Sequence, residues 1–260
     1  MLKIVMPMGG EGKPFADRGF TFPKPLIEIR GRSMIEVVVE NLAPRRRDHQ
    51  FVFVPRQDHL ARFALADVLR LLAPGAAVVP MKAATRGALC SVLLATEHLA
   101  DDCELLVANA DQFIDFDVDA FLDAAAAPGV DGCMVTFPST HPKWSYAKVE
   151  GGEVVAVAEK RPISRDATVG LYYFKSSRAF LAAAERSILK NASLGGEFYV
   201  APVYNELILA GRSVRTYPIR RDQMHSLGTP EELDLFAASV AARWDRRPAA
   251  ADAAAAAAAG

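Results

Sequence analysis

The sequence has few cysteines, almost no net charge and no long hydrophobic run. Its 3 cysteines lie far apart and without metal-ligand spacing, which is typical of small buried side chains in a reducing compartment. A net charge of −1 argues against a nonspecific nucleic-acid binder, because such a protein needs a basic surface to displace counterions. No apolar run approaches the roughly 20 residues that cross a bilayer. We therefore predict a cytoplasmic protein with no nucleic-acid or membrane partner.

The length and the strand pattern predict one α/β domain. The chain has 260 residues, 51% of them hydrophobic, and can bury one sizeable core. Strand and helix patterns alternate through the first half, which predicts a doubly wound, mostly parallel mixed sheet. Glycines and prolines break the strands of the second half, which predicts an antiparallel, hairpin-rich addition. We expect a single domain over residues 1–247 and a disordered alanine-rich tail over residues 248–260.

The hydrophobic periodicity predicts the following elements. Strands are predicted at residues 2–6, 26–29, 51–54, 78–79, 105–107, 146–149, 153–157, 168–174 and 214–218. Helices are predicted at residues 34–42, 57–72, 177–189 and 199–209, and another follows a loop within residues 85–99. A final helix begins at Pro230 and presents an apolar stripe of Leu233, Phe236, Val240 and Trp244. Capping boxes are predicted at residues 33–36 and 229–232.

A glycine loop follows the first predicted strand. Gly9, Gly10 and Gly12 permit positive φ and let backbone amides approach an anion, so the predicted ligand is a phosphate. The loop is not a Walker loop, because Pro14 replaces the hydroxyl residue that would hold magnesium. It is not a Rossmann loop either, because Phe15 stands where the third glycine is needed.

Two charged residues are predicted to face this loop. Lys24 lies between Pro23 and Pro25, which restrict the backbone and favour an extended segment that holds the cation in place. Asp111 follows the predicted strand at residues 105–107, and the carboxyl ends of parallel strands share one edge of a sheet. Considered alone, Lys24 is better interpreted as a surface lysine in a turn. A carboxylate that caps a turn is the simpler interpretation of Asp111, but its place at a strand end opposite the glycine loop favours a functional role.

In their order and spacing these motifs resemble the sugar-1-phosphate nucleotidylyltransferases, the pyrophosphorylases that make nucleotide sugars. The resemblance extends to about Phe236. Its other motifs are Asn109-Ala110-Asp111, Ala158-Glu159-Lys160, Val169-Gly170-Leu171-Tyr172-Tyr173-Phe174, Glu197-Phe198-Tyr199 and Gly228-Thr229-Pro230. It implies a metal-dependent enzyme with Mg²⁺ as cofactor and with an NTP and a sugar 1-phosphate as substrates. It further implies nucleotide-sugar production for cell-surface polysaccharide, with residues 1–137 binding the nucleotide and residues 138–247 the sugar phosphate.

The resemblance also implies roles for individual residues. Lys24 and Asp111 would be catalytic, with Asp111 as the metal ligand. The nucleotide would contact Met8, Gly9, Gly10, Glu11, Gly12, Lys13, Gly87 and Asn109. The sugar phosphate would contact Glu159, Lys160, Gly170 and Tyr172. Simpler interpretations are a helix-entry glycine for Gly87, an exposed ion pair for Glu159 and Lys160, and a core aromatic for Tyr172.

The sequence departs from the family's pattern at three positions. Pro14 stands where many members have an arginine that steadies the pyrophosphate, which leaves Lys13 or Arg18 to supply the charge. Ser226 replaces the second metal aspartate, and Ala147 replaces a glycine that contacts the sugar. A slow, specialised or inactive member therefore stays open.

Two other functions compete with this interpretation. Asp115-Phe116-Asp117 is a DxD sequence, as in metal-dependent glycosyltransferases, although Asp117 and Asp119 also look like an acidic helix start. A catalytically weak, nucleotide-binding regulatory subunit is the second. The base, the sugar and the oligomeric state, a homo-oligomer included, are left open by the sequence.

Overall fold

The computed structural model describes the backbone of residues 1–244 and the side chains of residues 1–239. The predicted tail at residues 248–260, the predicted domain end at 247 and the side chains of Val240 and Trp244 lie outside the described residues. Among the helices that are described, none is long and apolar enough to cross a membrane.

The strands and helices alternate through the first half of the chain. The strands are β1 Leu2–Met8, β2 Glu28–Ile29, β3 Arg32–Ser33, β4 His49–Pro55, β5 Ala77–Val78, β6 Glu104–Ala108, β7 Gln112–Ile114, β8 Gly132–Pro138, β9 Tyr146–Glu150, β10 Glu153–Ala158, β11 Asp166–Phe174, β12 Val214–Pro218 and β13 Met224–Ser226. The helices are α1 Lys13–Asp17, α2 Met34–Leu42, α3 Gln57–Phe63, α4 Leu65–Leu72, α5 Ala88–Leu93, α6 Val118–Ala125, α7 Ser177–Leu189, α8 Val203–Leu209 and α9 Pro230–Trp244.

A mixed sheet organises the fold. Within the described residues it has 9 strands, and its main path runs in the order β10-β9-β11-β6-β1-β4-β5. Strands β5, β4, β1 and β6 are parallel, whereas β11 is antiparallel to β6, β8 and β9. Strand β12 pairs in parallel with β8. This confirms the predicted α/β fold, with its parallel first half and antiparallel addition.

Hydrophobic cores lie on both faces of the sheet. Ile4 and Met6 of β1 belong to one core, which α2, α4 and α6 cover. Val5 belongs to the other core, which α5, α7 and α8 cover. Because consecutive side chains of β1 are buried on opposite faces, the strand reads as a nearly continuous apolar run, as expected in a doubly wound sheet.

Several predicted elements match closely. Helices α2 and α7 and strand β12 have the predicted bounds. Ser33 accepts a hydrogen bond from the Glu36 amide at 3.3 Å, which confirms one half of the first capping box. The Glu36 carboxylate instead pairs with Arg32 at 2.7 Å, so the reciprocal half takes a different partner.

Other predictions were wrong. The helix predicted at residues 57–72 divides at Ala64, whose φ is +50°, into α3 without buried residues and α4 with buried Leu65 and Leu69. The helix predicted from residue 199 begins at Val203, after the N-cap residue Pro202, because a proline disfavours the helical conformation in the residue before it. The strand predicted at residues 26–29 shortens to β2 of a small hairpin. Helix α1, strand β8 and the ribbon of β7 and β13 were not predicted.

Candidate active site

The predicted site lies at one edge of the central sheet. Strands β1, β4 and β6 are parallel and end at Met8, Pro55 and Ala108, so the segments that follow them emerge side by side. Strand β11 runs the other way and brings Gly170 to the same edge, where its carbonyl accepts a hydrogen bond from the Asn109 amide at 3.1 Å. This edge therefore gathers segments from both halves of the chain.

The glycine loop leads directly into α1. Gly12 is the N-cap residue, with φ +65°, and its carbonyl accepts hydrogen bonds from the amides of Phe15 at 2.9 Å and Ala16 at 3.1 Å. Pro14 lies in the first turn of this helix, where a backbone amide has no intrahelical acceptor, so proline costs no hydrogen bond. The local fold thus accommodates proline at the position where an arginine was expected.

Lys24 lies directly under this loop. A Cβ on Gly12 would be 3.3 Å from the Lys24 Cβ, so the two segments are in contact. The extended segment predicted here was wrong. Lys24–Leu26 forms a single 3₁₀ turn, in which the Leu26 amide donates to the Pro23 carbonyl at 2.8 Å. Proline fits this turn because it supplies none of these donors.

The Lys24 ammonium forms a salt bridge with Asp111 and lies 5.8 Å from the centre of the Phe15 ring. The Lys24 side chain is only 17% exposed, whereas that of Asp111 is 38% exposed, so solvent reaches the pair from the carboxylate side. The glycine loop, Lys24 and Asp111 therefore meet at one place, as a site that contacts a single small molecule requires.

A short ribbon brings a second segment to Asp111. Strand β13 pairs with β7 so that Ser226 lies opposite Gln112, and the Leu227 amide donates to the Asp111 carbonyl at 2.8 Å. The backbone contact fixes the chain around Gly228 beside the Asp111 side chain. Sequence reasoning placed these segments in one site only through the family resemblance, because neither short strand has a recognisable pattern.

Oxygens of the type that a hard divalent cation binds lie around Gly228. A Cβ on Gly228 would lie 3.1 Å from Glu232 Oε2, 3.4 Å from Ser226 Oγ and 3.9 Å from Asp111 Oδ2. Carboxylate and hydroxyl oxygens are the donor type that Mg²⁺ takes. No group of three or more His, Cys, Asp or Glu suited to a metal occurs in the described part of the chain, and this set has two carboxylates and one hydroxyl.

Glu232 departs from the second predicted capping box. Its amide bonds to Thr229 Oγ1 at 3.3 Å, as predicted, but its carboxylate accepts from Ser226 Oγ at 2.6 Å and from the Gly228 amide at 3.1 Å. Burial raises the pKa of this carboxyl, but the hydrogen bond from Ser226 and the ion pair with Lys143 outweigh it and hold the pKa below its usual value. Glu232 is therefore an anion directed at the site.

The arginine that lies near the glycine loop is not the one that the sequence suggested. Arg18 forms salt bridges with Glu231 at 3.4 Å and Asp234 at 2.9 Å on α9. Arg56, which the sequence did not single out, follows β4 and lies 3.9 Å from Glu11 of the loop. It is preoriented by Asp58, whose carboxylate accepts from Arg56 Nε at 3.0 Å. The only signal in the sequence is the position of Arg56 directly after a parallel strand.

Gly87 is required by its neighbours. Its φ is +96°, and a Cβ would lie 2.5 Å from the Phe198 carbonyl oxygen and 2.8 Å from the Phe198 nitrogen. Two backbone hydrogen bonds hold Phe198 beside Gly87. The Phe198 amide donates to the Arg86 carbonyl at 2.8 Å, and the Leu89 amide donates to the Phe198 carbonyl at 3.1 Å. This packing accounts for the glycine independently of a contact with a nucleotide base, which stays a prediction.

We expect Gly87→Ala to destabilise the protein by roughly 3 kcal/mol or more, because it combines a strained φ with a backbone clash. Urea denaturation would measure the loss. Gly75→Ala is the matched control, since Gly75 has φ +80° but open space around its Cβ position. That variant should lose only about 1–2 kcal/mol. Equal losses in the two variants would show that the contact with Phe198 is unimportant.

On the side predicted to bind the sugar phosphate, Glu159 is directed into a polar, mostly buried group. Its carboxylate accepts a hydrogen bond from Ser145, a residue that the sequence did not single out. Burial raises the pKa of Glu159, and the Ser145 hydrogen bond opposes this only in part. Tyr172 is buried beneath it and bonds to Thr168 at 2.9 Å, and burial raises its pKa to about 12. The core interpretation of Tyr172 thus has a structural basis.

Lys160 is held by residues of the Glu197-Phe198-Tyr199 motif. Its φ is +50°, and its ammonium donates to Tyr199 Oη at 2.7 Å while lying 4.8 Å from the centre of that ring. Tyr199 in turn donates to Glu197 at 2.6 Å. The hydrogen bond to Tyr199 raises the pKa of Lys160 and keeps it cationic. Glu159 and Lys160 have different side-chain partners, unlike a simple exposed ion pair.

Gly170 connects the two halves of the site. Its φ is +82°, and a Cβ would lie 2.1 Å from Asn109 Nδ2. The Gly170 carbonyl also accepts from Gln112 Nε2 at 3.4 Å. The glycine therefore lets β11 approach the segment that carries Asn109 and Asp111.

The remaining predicted nucleotide contacts lie along the loop. Gly9 packs on Met81, whose Cε would be 2.9 Å from a Cβ on Gly9, whereas Gly10 has open space around it. Met8 is buried, and Glu11 and Lys13 are more exposed.

The DxD sequence has a structural explanation in part. Asp117 is the N-cap of α6, and its carboxylate accepts from the amides of Asp119 at 2.9 Å and Ala120 at 3.3 Å. The Asp119 carboxylate accepts from the amides of Arg45 and Arg46 at 3.0 and 3.2 Å. The acidic helix start predicted as the alternative is therefore what these two residues form.

Comparisons with known proteins agree with this geometry. The family model described as nucleotidyl transferase matches residues 3–198. The fold is similar to a nucleoside-diphosphate-sugar pyrophosphorylase from Vibrio cholerae, at 29% identity and a TM-score of 0.78, with 90% of this chain and 99% of that chain covered. It is also similar to a protein from Bacillus anthracis assigned as a glucose-1-phosphate thymidylyltransferase, at 16% identity and a TM-score of 0.70, covering 92% and 94%. That second likeness concerns the fold alone. Among curated proteins, no relative matches the sequence.

Proposed function

This chain belongs to the nucleotidyl transferase family, and we propose that it transfers a nucleotidyl group from an NTP to a sugar 1-phosphate and releases pyrophosphate. The observation that carries the proposal is the meeting of the glycine loop, Lys24 and Asp111 at one edge of the sheet. These groups supply amides, a cation and a metal-binding carboxylate, which are the means by which proteins hold two anionic reactants together.

In the proposed reaction a phosphate oxygen of the sugar 1-phosphate attacks the α-phosphorus of the NTP. A new phosphorus–oxygen bond forms as the bond to the β-phosphate oxygen breaks, and pyrophosphate leaves. The amides of Gly9 to Gly12 hold the triphosphate, and the Lys24 ammonium lies where negative charge builds up around the α-phosphate. Such preorganised charge stabilises the transition state because little has to reorganise during the reaction.

Asp111 would hold Mg²⁺, with Ser226 and Glu232 beside it. When bound, the ion neutralises phosphate charge and orients the phosphoryl oxygens. Glu159 and Lys160 would bind the sugar hydroxyls and the sugar phosphate respectively. We further propose that the reaction takes place in the cytoplasm and that its nucleotide-sugar product is used for cell-surface polysaccharide.

The proposal is tested by pyrophosphate release from the purified chain. The four common NTPs are each paired with a panel of sugar 1-phosphates under Mg²⁺, with EDTA as the control. We expect turnover with one or a few pairs and its loss in EDTA. Nucleotide binding with no turnover for any pair would favour the regulatory function instead. Transfer of sugar from a nucleotide sugar to an acceptor, without pyrophosphate release, would favour the glycosyltransferase.

A further inference from the structure

The side chain of Glu232 has no part in the sequence-based site, yet it is directed into it. It comes from the first turn of α9, whereas Asp111 follows β6 and Ser226 ends β13. Oxygens from these three separate segments surround the empty Cβ position of Gly228 at 3.1, 3.4 and 3.9 Å. Gly228 is absent from the glycines with positive φ, so its backbone conformation does not require glycine. A Cβ at this position would instead crowd the Glu232 carboxylate and the Ser226 hydroxyl.

The two oxygens of Glu232 have different surroundings. Oε1 faces outward and pairs with Lys143 at 3.0 Å. Oε2 faces inward and accepts the Ser226 hydroxyl at 2.6 Å and the Gly228 amide at 3.1 Å. Because the Ser226 proton is held by Glu232, the lone pairs of Ser226 Oγ are left free to face a cation. The hydroxyl thus gains a negative charge directly behind it.

We propose that Ser226 and Glu232 act together as the second half of the divalent-cation site, opposite Asp111. Ser226 contributes the oxygen that faces the cation, and Glu232 is a positioning residue that orients this hydroxyl and supplies the charge that it lacks. A carboxylate behind a ligand is a common means of raising its basicity and fixing its orientation. This inference rests on the proposed function for the identity of the cation and deepens it.

Each carboxylate of the proposed site has its own cationic partner. Asp111 forms a salt bridge with Lys24, and Glu232 forms one with Lys143. Lys143 also lies 4.6 Å from the centre of the Trp144 ring, which helps to hold it on the outer side of Glu232. The inner oxygen therefore stays directed at Ser226.

The test is direct binding of Mn²⁺ to the full chain, measured through the relaxation rate of water protons. Glu232→Gln keeps the size of the side chain and removes its charge, and we expect its Kd for Mn²⁺ to rise about tenfold. Glu231→Gln is the matched control, because Glu231 is the preceding residue on α9 and its side chain is 74% exposed. Its Kd should equal that of the wild type.

A second variant tests the role of charge apart from folding. Ser226→Asp in the Glu232→Gln background places a carboxylate at the ligand position itself, and we expect it to restore Mn²⁺ binding. Melting temperatures of both variants should stay near the wild-type value. Wild-type affinity in Glu232→Gln, or no Mn²⁺ binding by the wild-type chain, would overturn the inference.

The outcomes separate this inference from the proposed function. Pyrophosphate release by the wild type, together with unchanged Mn²⁺ binding in Glu232→Gln, would reject only the inference. Mn²⁺ binding that depends on Glu232, without turnover for any substrate pair, would reject only the proposed function.

Discussion

Asp111→Asn is expected to lower kcat about a thousandfold, a loss of about 4 kcal/mol of transition-state stabilisation. The amide keeps the shape of the side chain but loses the charge that both Lys24 and a divalent cation require. The fold should survive, because the Asp111 carbonyl still accepts the hydrogen bond from Leu227 at 2.8 Å. The measurement is kcat at saturating Mg²⁺, together with the melting temperature.

Asp115→Asn is the matched control for this variant. It makes the same chemical change four residues later, after β7, where the Asp115 amide donates to the Gln223 carbonyl at 2.8 Å. We expect its turnover to stay near that of the wild type. An unchanged kcat in Asp111→Asn would reject the metal-ligand role, and a large loss in Asp115→Asn would revive the DxD interpretation.

Lys24→Ala is expected to lower kcat by roughly 30-fold to 1000-fold, because one charged hydrogen bond in a transition state contributes about 2–4 kcal/mol. KM for the NTP should change less than kcat, since the ammonium is placed to act on charge that develops during the reaction. Steady-state kinetics with the preferred substrate pair would separate the two parameters.

Lys24→Arg distinguishes charge from packing at the same position. It keeps the positive charge, so it should retain more activity than Lys24→Ala, although a guanidinium does not reproduce the compact ammonium. A Lys24→Ala variant with wild-type kcat and a raised KM would show that the lysine only binds the nucleotide. The Lys24 side chain is only 17% exposed, so its truncation also removes packing. The melting temperature of each variant shows whether a loss of activity comes from a loss of stability.

Much of the fold could be predicted because it depends on local patterns. A helix such as α7 repeats its apolar residues at helical spacing, so its bounds were predicted correctly. The same criterion failed at Ala64, where a single residue with φ +50° divides a continuous apolar pattern into two helices. Such a break depends on how each half packs on the sheet, which the periodicity does not contain.

From residue patterns alone, only the meeting of the glycine loop, Lys24 and Asp111 could be predicted. The glycine loop, Lys24 and Asp111 each lie beside a turn or strand end that the sequence marks, and the topology of a parallel sheet then brings strand ends together. Ser145 and Glu232 give no such signal, and Tyr199 was found only through a motif of the family resemblance. Glu232 fits the pattern of a capping box, and only the tertiary structure shows its carboxylate on Ser226 and Gly228.

The sequence by itself determined the α/β class, the glycine loop after the first strand and the two charged residues that were predicted to face it. These follow from backbone freedom, hydrophobic period and strand order, all of which are written locally along the chain. The tertiary structure decided which distant oxygens surround Gly228, why Gly87 and Gly170 must lack a Cβ, and that Arg18 pairs with α9. Contacts of this kind depend on the packing of segments far apart in the chain, and no local pattern specifies them.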